Sequence, residues 1–324
     1  MFDPISPFLI DPARIPGPVL LTGAGGCIGA WVAAILHRSG VAVVGTDLQP
    51  DRRRLELLIG DAAAQVTFEP CDVTDLDALN SLAHMHKVTA IVHLAGLQIP
   101  FCAANPALGA RVNVEGTINV FECARALGTA RTVYASSVAA LGMPPGGPWK
   151  ATLYGAYKAA NEHSAQVYWD DFSVPTIGLR PNVVYGVGRD QGMSSKTTTA
   201  VHAAALGLDY EVPFSGRQSW LYAGEAASAF IAAIAQDNIG AEVFDLNGPC
   251  ESVEAGLEIL GSLAPGPALS CSGAPFPFPP DLSDTRFRAH VAPYPNISVV
   301  AGIKATFEHF KALESQGRLP ALPM

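Results

Sequence analysis

No two cysteines in this sequence of 324 residues are spaced CxxC, and none stands in a cluster with histidine. That removes zinc fingers, zinc ribbons and thioredoxin-type redox motifs. The six cysteines, at 27, 71, 102, 123, 250 and 271, are expected to be free, small apolar core residues of a reduced, cytoplasmic protein. Charge is also scarce: 15% of residues are charged against 49% hydrophobic, and the formal net charge is −9. The longest basic run is Arg52-Arg53-Arg54, too short for a nucleic-acid footprint and expected to be a solvated helix start. One apolar stretch, VTAIVHLAGLQIPFCAANPALG (88–109), is long enough to suggest a membrane span. His93, Gln98, Asn105 and two prolines break it into a strand, a loop and a helix start. The N-terminus, MFDPISPFLIDPARIPG, is acidic and proline-broken, unlike a secretory leader. No GxSxG elbow and no zinc or magnesium constellation is present, so no metal is expected. A small-molecule partner is what these absences leave.

Short β-branched runs alternate with longer helical patterns. Strands are expected at 18–23, 41–47, 66–73, 89–96, 131–137 and 174–181. Helices are expected at 27–40, from Asp75 to about Met85, from about Asn105 to Leu127, and from YGAYK to about Phe172. This rhythm predicts an α/β fold: a Rossmann-type, doubly wound parallel sheet with helices on both faces. After Tyr185 the rhythm changes, with helices expected at 195–207, 223–236, 252–262 and 298–315 and a strand at 242–248. The proline-rich 265–280 is expected to be all loop. Residues 1–186 therefore read as a dinucleotide-binding domain with return segments near 220–248. Residues 187–324 read mainly as a smaller substrate lobe with a C-terminal helix.

The first strand runs into TGAGGCIG (22–29), where Gly23, Gly26 and Gly29 give GxxGxxG. Gly23 permits a tight turn, Gly26 lets backbone approach a pyrophosphate, and Gly29 lets the helix press on the sheet. The N–H groups and positive end of the helix starting at Cys27 favour the anion. The second strand ends in Asp47, whose carboxylate suits ribose hydroxyls and repels a 2′-phosphate; NAD is favoured over NADP. Asp72-Val73 offers a further carboxylate for the adenine amino group, or else a helix N-cap.

These segments, followed in order by HLAG (93–96), NVEGTINV (113–120), ASS (135–137), YGAYK (154–158) and LRPNVVYG (179–186), resemble the extended short-chain dehydrogenase/reductase family, which contains nucleotide-sugar epimerases and dehydratases. The likeness covers roughly residues 18–190, with a weaker match at PNISVVAGIKATFEHF (295–310). It implies NAD contacts from Cys27, Ile28, Leu94, Ala95, Gly96 and Pro181, and a role for Asn113 in organising backbone and water behind a catalytic lysine. It also implies a homodimer formed through the helices near 105–127 and 154–172. The family signature is tyrosine, three residues, lysine. Only Tyr154 stands four before Lys158, on one helix face and one turn away; Tyr157 points about 100° aside. Tyr154 is thus expected to exchange the substrate proton, with its pKa lowered by the Lys158 ammonium and by a cationic nicotinamide. Ser137, with Ser136 as fallback, is expected to orient the substrate oxygen. His93, ending a buried strand, is expected to be structural.

The resemblance departs where diphosphates are gripped. Val183 stands where asparagine is typical, with Asn182 one residue earlier. Gln98 replaces a lysine, and Gln218 replaces an arginine, with Arg217 beside it. Arg286 and Arg288 lie too near the last helix to replace a second clamp. A diphosphate needs several cationic or N–H donors. A small sugar, sugar acid or related hydroxy/keto compound is therefore expected, with Gln98, Asn182, Arg189 and Arg217 as substrate contacts and Asp190 as a hydroxyl acceptor. The expected activity is an NAD-dependent dehydrogenase. The alternatives are an epimerase that retains NAD, possibly acting on a nucleotide-sugar, and a non-catalytic dinucleotide sensor.

Overall fold

A computed structural model describes residues 3–142 and 149–323; Met1 and Phe2 of the N-terminal stretch lie outside it. Seven parallel strands form the central sheet, in the spatial order Ala241–Leu246, Thr176–Pro181, Thr132–Ala135, Ala90–His93, Val19–Thr22, Val43–Asp47, Thr67–Pro70. Two of the runs predicted as strands lie at the centre of the sheet, and all four residues of Val19–Thr22 and of Ala90–His93 are buried, as a sheet covered on both faces requires; the runs at 66–73 and 242–248 form its edges. Val19 is in register with Val43 on one side and with Ala90 on the other. The chain winds outward from the first strand to the third, then returns to place the fourth on the first strand's other side. The carboxyl ends diverge at that reversal and leave a crevice.

The helix Cys27–Arg38 buries Gly29 through Leu36 beneath the sheet. Its neighbour Ala223–Ile234, rich in alanine, is buried along its whole length. Gly224 lets Phe8 and Trp31 approach; a methyl there would stand 2.7 Å from the Phe8 ring and 2.9 Å from Trp31. Trp31 Nε1 donates to Val187 O at 2.9 Å, which ties the chain leaving the sixth strand to this layer.

Two expectations need correction. The single helix at 105–127 is instead three pieces: Pro106–Ala110, a π-helical turn Arg111–Glu115, and Gly116–Leu127, preceded by a separate helix Ile99–Ala104. Asn105 caps the second helix by accepting from Leu108 N, and the π turn carries Asn113 inward. Such bulges are a local register change that periodicity does not reveal. The stretch 265–280 is not all loop: Leu269–Cys271 pairs in parallel with Tyr210–Val212. Residues 268–274 contain no proline, so their N–H groups are free to pair. All six cysteines are free, but only Cys71, Cys102 and Cys123 are buried; Cys27, Cys250 and Cys271 are half-buried. Among the described residues no helix is long and apolar enough to cross a membrane.

Candidate active site

The crevice holds two adjoining cavities. One, of about 250 Å³, runs from the glycine loop past Tyr154 to Phe276 and Phe278. The other, of about 390 Å³, lies between the glycine loop and Asp47. Both are walled in part by Gly26, Cys27, Gly96, Gln98 and Arg189.

Gly23 has φ +70°, and a Cβ there would stand 2.6 Å from Ala95 N. The chain leaving the fourth strand therefore presses directly on the loop. A Cβ at Gly29 would collide with Gly23 O, so helix and loop touch backbone to backbone. Gly23, Gly26, Cys27, Ile28, Gly29, Leu94, Gly96 and Pro181 all line the first cavity. The N–H groups of Cys27, Ile28 and Gly29 open a helix and lack a carbonyl one turn earlier. Asp47 accepts from Gly25 N at 3.3 Å and Leu48 N at 2.9 Å; burial raises its pKa. Its loop-facing carboxylate and the glycine cradle suit the ribose and pyrophosphate of a dinucleotide.

The three arginines are not a solvated face. Arg53 pairs with Asp51 in solvent, but Arg52 turns inward to the carbonyls of Ala63 and Val66, at 3.0 and 2.6 Å. Arg54 donates to Gly25 O at 2.6 Å and pairs with Asp190 at 2.6 Å. It thus ties the glycine loop to the segment after the sixth strand, and Asp190 is engaged by it. Nothing in the spacing marked this contact, which joins residues 136 apart in sequence. Asp72 and Val73 line neither cavity. Asp72 accepts from Thr74 N and Oγ1, at 2.9 and 2.8 Å, while the helix cap is Asp75; Val73 O accepts from Asn119 at 2.9 Å.

Thr152 caps the helix Leu153–Phe172 by accepting from Gly155 N at 2.9 Å. Gly155 lets that first turn sit against Ala139 O, which a side chain would prevent. Tyr154 and Lys158 therefore face the carboxyl end of the fifth strand. Lys158 Nζ donates to Ala135 O at 2.7 Å and lies 5.6 Å from the Tyr154 ring centroid. Ser137 Oγ accepts from Ala139 N at 3.1 Å and lies beside the Tyr154 phenol, where it favours the ionised form. Ser136 points the other way, donating to Glu162, which Arg180 also holds at 2.6 Å. Both serines follow the end of the strand Thr132–Ala135. Tyr157 OH donates to Pro106 O at 2.9 Å, away from the lysine.

The electrostatics correct one expectation. The Tyr154 phenol lies above its ordinary pKa because burial outweighs the effects of Ser137 and of the positive charge of Arg189. Burial also pushes Lys158 down to about 8. The protein alone therefore does not acidify this phenol. Asn113 is fully buried; its amide donates to Gly109 O at 3.0 Å and Leu97 O at 3.2 Å, and its Oδ1 has no partner among the described residues. A methyl on Gly96 would stand 2.7 Å from that oxygen and 3.5 Å from Lys158 Nζ. Ala95 and Asn113 lie behind the wall; neither lines a cavity. His93 bridges Thr22 and Thr117 at 2.7 and 3.1 Å, and burial lowers its pKa to about 3, which keeps it neutral and structural.

On the remaining side, Gln98 and Arg189 line both cavities and Asn182 lines the first. The Asn182 amide is already spent: it donates to Asn247 Oδ1 and Pro279 O, both at 2.7 Å, and accepts from Val183 N at 2.9 Å. It holds the proline-rich segment in place. Arg217 is exposed on the strand Arg217–Ser219 and lines neither cavity; its neighbour Gln218 points inward, as alternation dictates. Sequence reasoning missed Ile99, Met193, Phe276 and Phe278, which wall the first cavity. The repeated Phe-Pro of 276–279 marks a stiff segment but not where it folds. Among the described residues no three His, Cys, Asp or Glu side chains cluster for a metal.

The sheet order, glycine cradle and Ser-Tyr-Lys cluster define a dinucleotide-dependent enzyme of the extended short-chain dehydrogenase/reductase type. The model of the NAD dependent epimerase/dehydratase family matches residues 19–246, and the chain belongs to that family. NAD is its cofactor. The UDP-glucose 4-epimerase of Mycolicibacterium smegmatis is 27% identical over 312 residues, covering 90% of this chain and 98% of that protein. The fold is shared with a Thermus thermophilus UDP-glucose 4-epimerase solved with NAD (TM-score 0.73, 22% identity, 91% of this chain and 99% of that one). It is shared equally with an L-threonine dehydrogenase from Clostridium difficile (TM-score 0.77, 20% identity, 94% and 99%).

Proposed function

We propose that this enzyme moves a hydride between NAD and a secondary alcohol or ketone carbon of a small substrate that carries no diphosphate. The carrying observation is that Ser137, Tyr154 and Lys158 line the same cavity as the glycine loop, with Lys158 Nζ 5.6 Å from the Tyr154 ring centroid. Gly23, Gly26 and Gly29, with the N–H groups at the start of the helix, would hold the pyrophosphate, and Asp47 the adenosine ribose. NAD, when bound, accepts or returns the hydride and adds positive charge beside the phenol. Ser137 holds the substrate oxygen. Tyr154 takes its proton in oxidation and gives it back in reduction. Lys158 lies below the phenol to stabilise its ionised form. The cations lining the first cavity are Lys158, bonded to Ala135 O, and Arg189, too few for a diphosphate clamp.

A second reading, an epimerase that keeps its NAD, is favoured by the near full-length relative and by the Arg54–Asp190 pair, which closes over the glycine loop. A dinucleotide sensor is disfavoured, since sensing has no use for Ser137, Tyr154 and Lys158 gathered in one cavity. In both catalytic readings residues 187–324, apart from the return segments near 220–248, form the substrate lobe. Leu108, Leu153, Val167 and Phe172, exposed on the relevant helices, suit a homodimer, and six free cysteines suit the cytoplasm.

Nicotinamide absorbance followed over a panel of aldoses, uronates and hydroxy acids tests the choice. Net NADH formation supports the dehydrogenase; isomer conversion with tightly held NAD(H) and no absorbance change supports the epimerase. Tyr154→Phe is expected to lower kcat by about 10³ with NADH affinity unchanged. Wild-type turnover in that variant would end both catalytic readings.

A further inference from the structure

The first cavity changes character along its length, and the change falls beside the reacting phenol. Tyr154 packs in one apolar cluster with Ile99, Val138, Phe276 and Phe278. The rings of Phe276 and Phe278 lie 5.5 Å apart, tilted against each other. Two polar groups near this wall are committed elsewhere, the Asn182 amide to Asn247 and Pro279 and the Ser136 hydroxyl to Glu162, and the polar lining that remains, Gln98, Arg189 and Ser194, lies toward the glycine-loop end. A sugar carries hydroxyls on the carbons flanking the one that reacts. Against phenyl and aliphatic faces those hydroxyls lose water and gain no partner, which a binding site tolerates poorly.

Arg189 gives the cavity its other character. Its Nη2 donates to Ser194 Oγ at 2.8 Å, and its Nε is buried without a partner among the described residues. Arg54, Arg180 and Arg288 each pair with a carboxylate. No ion pair joins Arg189 to a carboxylate among the described residues. Gly192, with φ +88°, brings the chain beneath it; a methyl there would stand 3.4 Å from Nη2 and collide with Gln98. A half-buried guanidinium that lines the cavity and that no carboxylate among the described residues neutralises is a receptor for an oxyanion, and a carboxylate matches its fork.

The geometry points to an amphiphilic substrate: a hydroxy- or oxo-monocarboxylic acid whose carboxylate pairs with Arg189 and whose apolar arm lies against Ile99, Val138, Phe276 and Phe278. This rests on the oxidoreductase reading and narrows its substrate class away from sugars. In oxidation the substrate hydroxyl gives its proton to Tyr154 and its carbon gives a hydride to NAD, leaving a ketone; reduction reverses both. The other oxyanion Arg189 could meet is the cofactor's own phosphate, because it also lines the second cavity.

The test uses the full chain, NAD(H), and a panel of 2-, 3- and 4-hydroxyalkanoates and their phenyl-substituted analogues, each beside its methyl ester, with aldoses and uronates as polar counterparts. The expected result is a preference for acid over ester of about 100-fold in kcat/KM. Arg189→Met should collapse that ratio toward unity, and Arg189→Lys should restore part of it, both with NADH Kd unchanged. Phe278→Ser should lower kcat/KM most for the longest arms. Hexanoate and 3-phenylpropionate, as non-reacting probes, should bind the NADH complex of the wild type and of Tyr154→Phe, but not of Arg189→Met. Faster turnover of aldoses or uronates than of any armed acid overturns the proposal while leaving the oxidoreductase reading intact. So does weakened NADH binding in Arg189→Met with the acid/ester ratio preserved, which assigns the guanidinium to the cofactor. Failure of both acid turnover and probe binding in the wild type overturns it as well. The broader reading fails separately, when no compound changes nicotinamide absorbance or is isomerised.

Discussion

On the glycine-loop side of the crevice, backbone meets backbone: Gly23 under Ala95 and Gly29 against Gly23 O, while Gly96 sits against the Asn113 side-chain oxygen. On the substrate side the wall is made of side chains from segments far apart in the chain, Ile99, Val138, Met193, Phe276 and Phe278. The first surface is rigid because a dinucleotide does not vary and because each glycine there removes the only atom that would push the chains apart. The second can be rebuilt one side chain at a time without disturbing the sheet. This is why a fold shared with both a UDP-glucose 4-epimerase and an L-threonine dehydrogenase says much about the cofactor and little about the substrate.

The contrast is breakable by mutation. The largest effect is expected at Gly23→Ala, where φ is +70° and the added carbon would stand 2.6 Å from Ala95 N. NADH affinity should fall by more than about 100-fold, or stability by about 3 kcal/mol. Tight NADH binding in a well-folded variant, read by titration and thermal melting, would show that the loop yields and the contrast is false.

Lys158→Met should abolish turnover yet stabilise the fold. The ammonium's pKa is lowered from 10.5 to about 8 by burial, so the folded state disfavours its charge. The cost is full below pH 8 and disappears as pH rises through the interval up to 10.5. The variant should therefore gain at most about 3 kcal/mol at neutral pH, less what the lost bond to Ala135 O subtracts. The gain should shrink steadily in alkali. Urea denaturation at several pH values checks it; a gain that grows with pH contradicts the sign.

A smaller change is expected from Arg54→Ala, which cuts the tie between Gly25 O and Asp190. NADH dissociation should accelerate about tenfold, a modest value because the Asp190 end is exposed. Stopped-flow fluorescence measures it, and the reversed pair Arg54→Asp with Asp190→Arg should recover part of the loss. An unchanged rate would mean that the pair decorates the groove without holding it shut. Smallest of all, Arg217→Ala should alter stability by less than about 0.5 kcal/mol and leave KM alone. A clear rise in KM would bring the outer strand into the substrate site and redraw the boundary between the two surfaces.

The glycine loop, Asp47 and the Tyr154–Lys158 pair were legible because each is local: a strand, a turn and a helix, or two positions one helical turn apart, define their geometry within a few residues. The π turn at Asn113 was not legible, since one extra residue in a helix leaves the apolar pattern almost intact. Asn182 and Arg189 sit in the crevice as their position after the sixth strand suggested. Whether their polar atoms were free depended on Pro279, Asn247 and Ser194, which only folding brings near. The expectation for Arg54 failed for the same reason: its partner is 136 residues away.

Local order in the chain therefore determined the sheet, the cofactor cradle and which phenol and amine share a helix face, because these follow from short-range backbone geometry. Tertiary structure decided the rest: the apolar wall beside Tyr154, the guanidinium of Arg189 bonded to Ser194 with no carboxylate beside it among the described residues, and the burial that raises the phenol's pKa while lowering the amine's. Desolvation and hydrogen-bond satisfaction are properties of the packed surroundings, and no spacing along a chain specifies them.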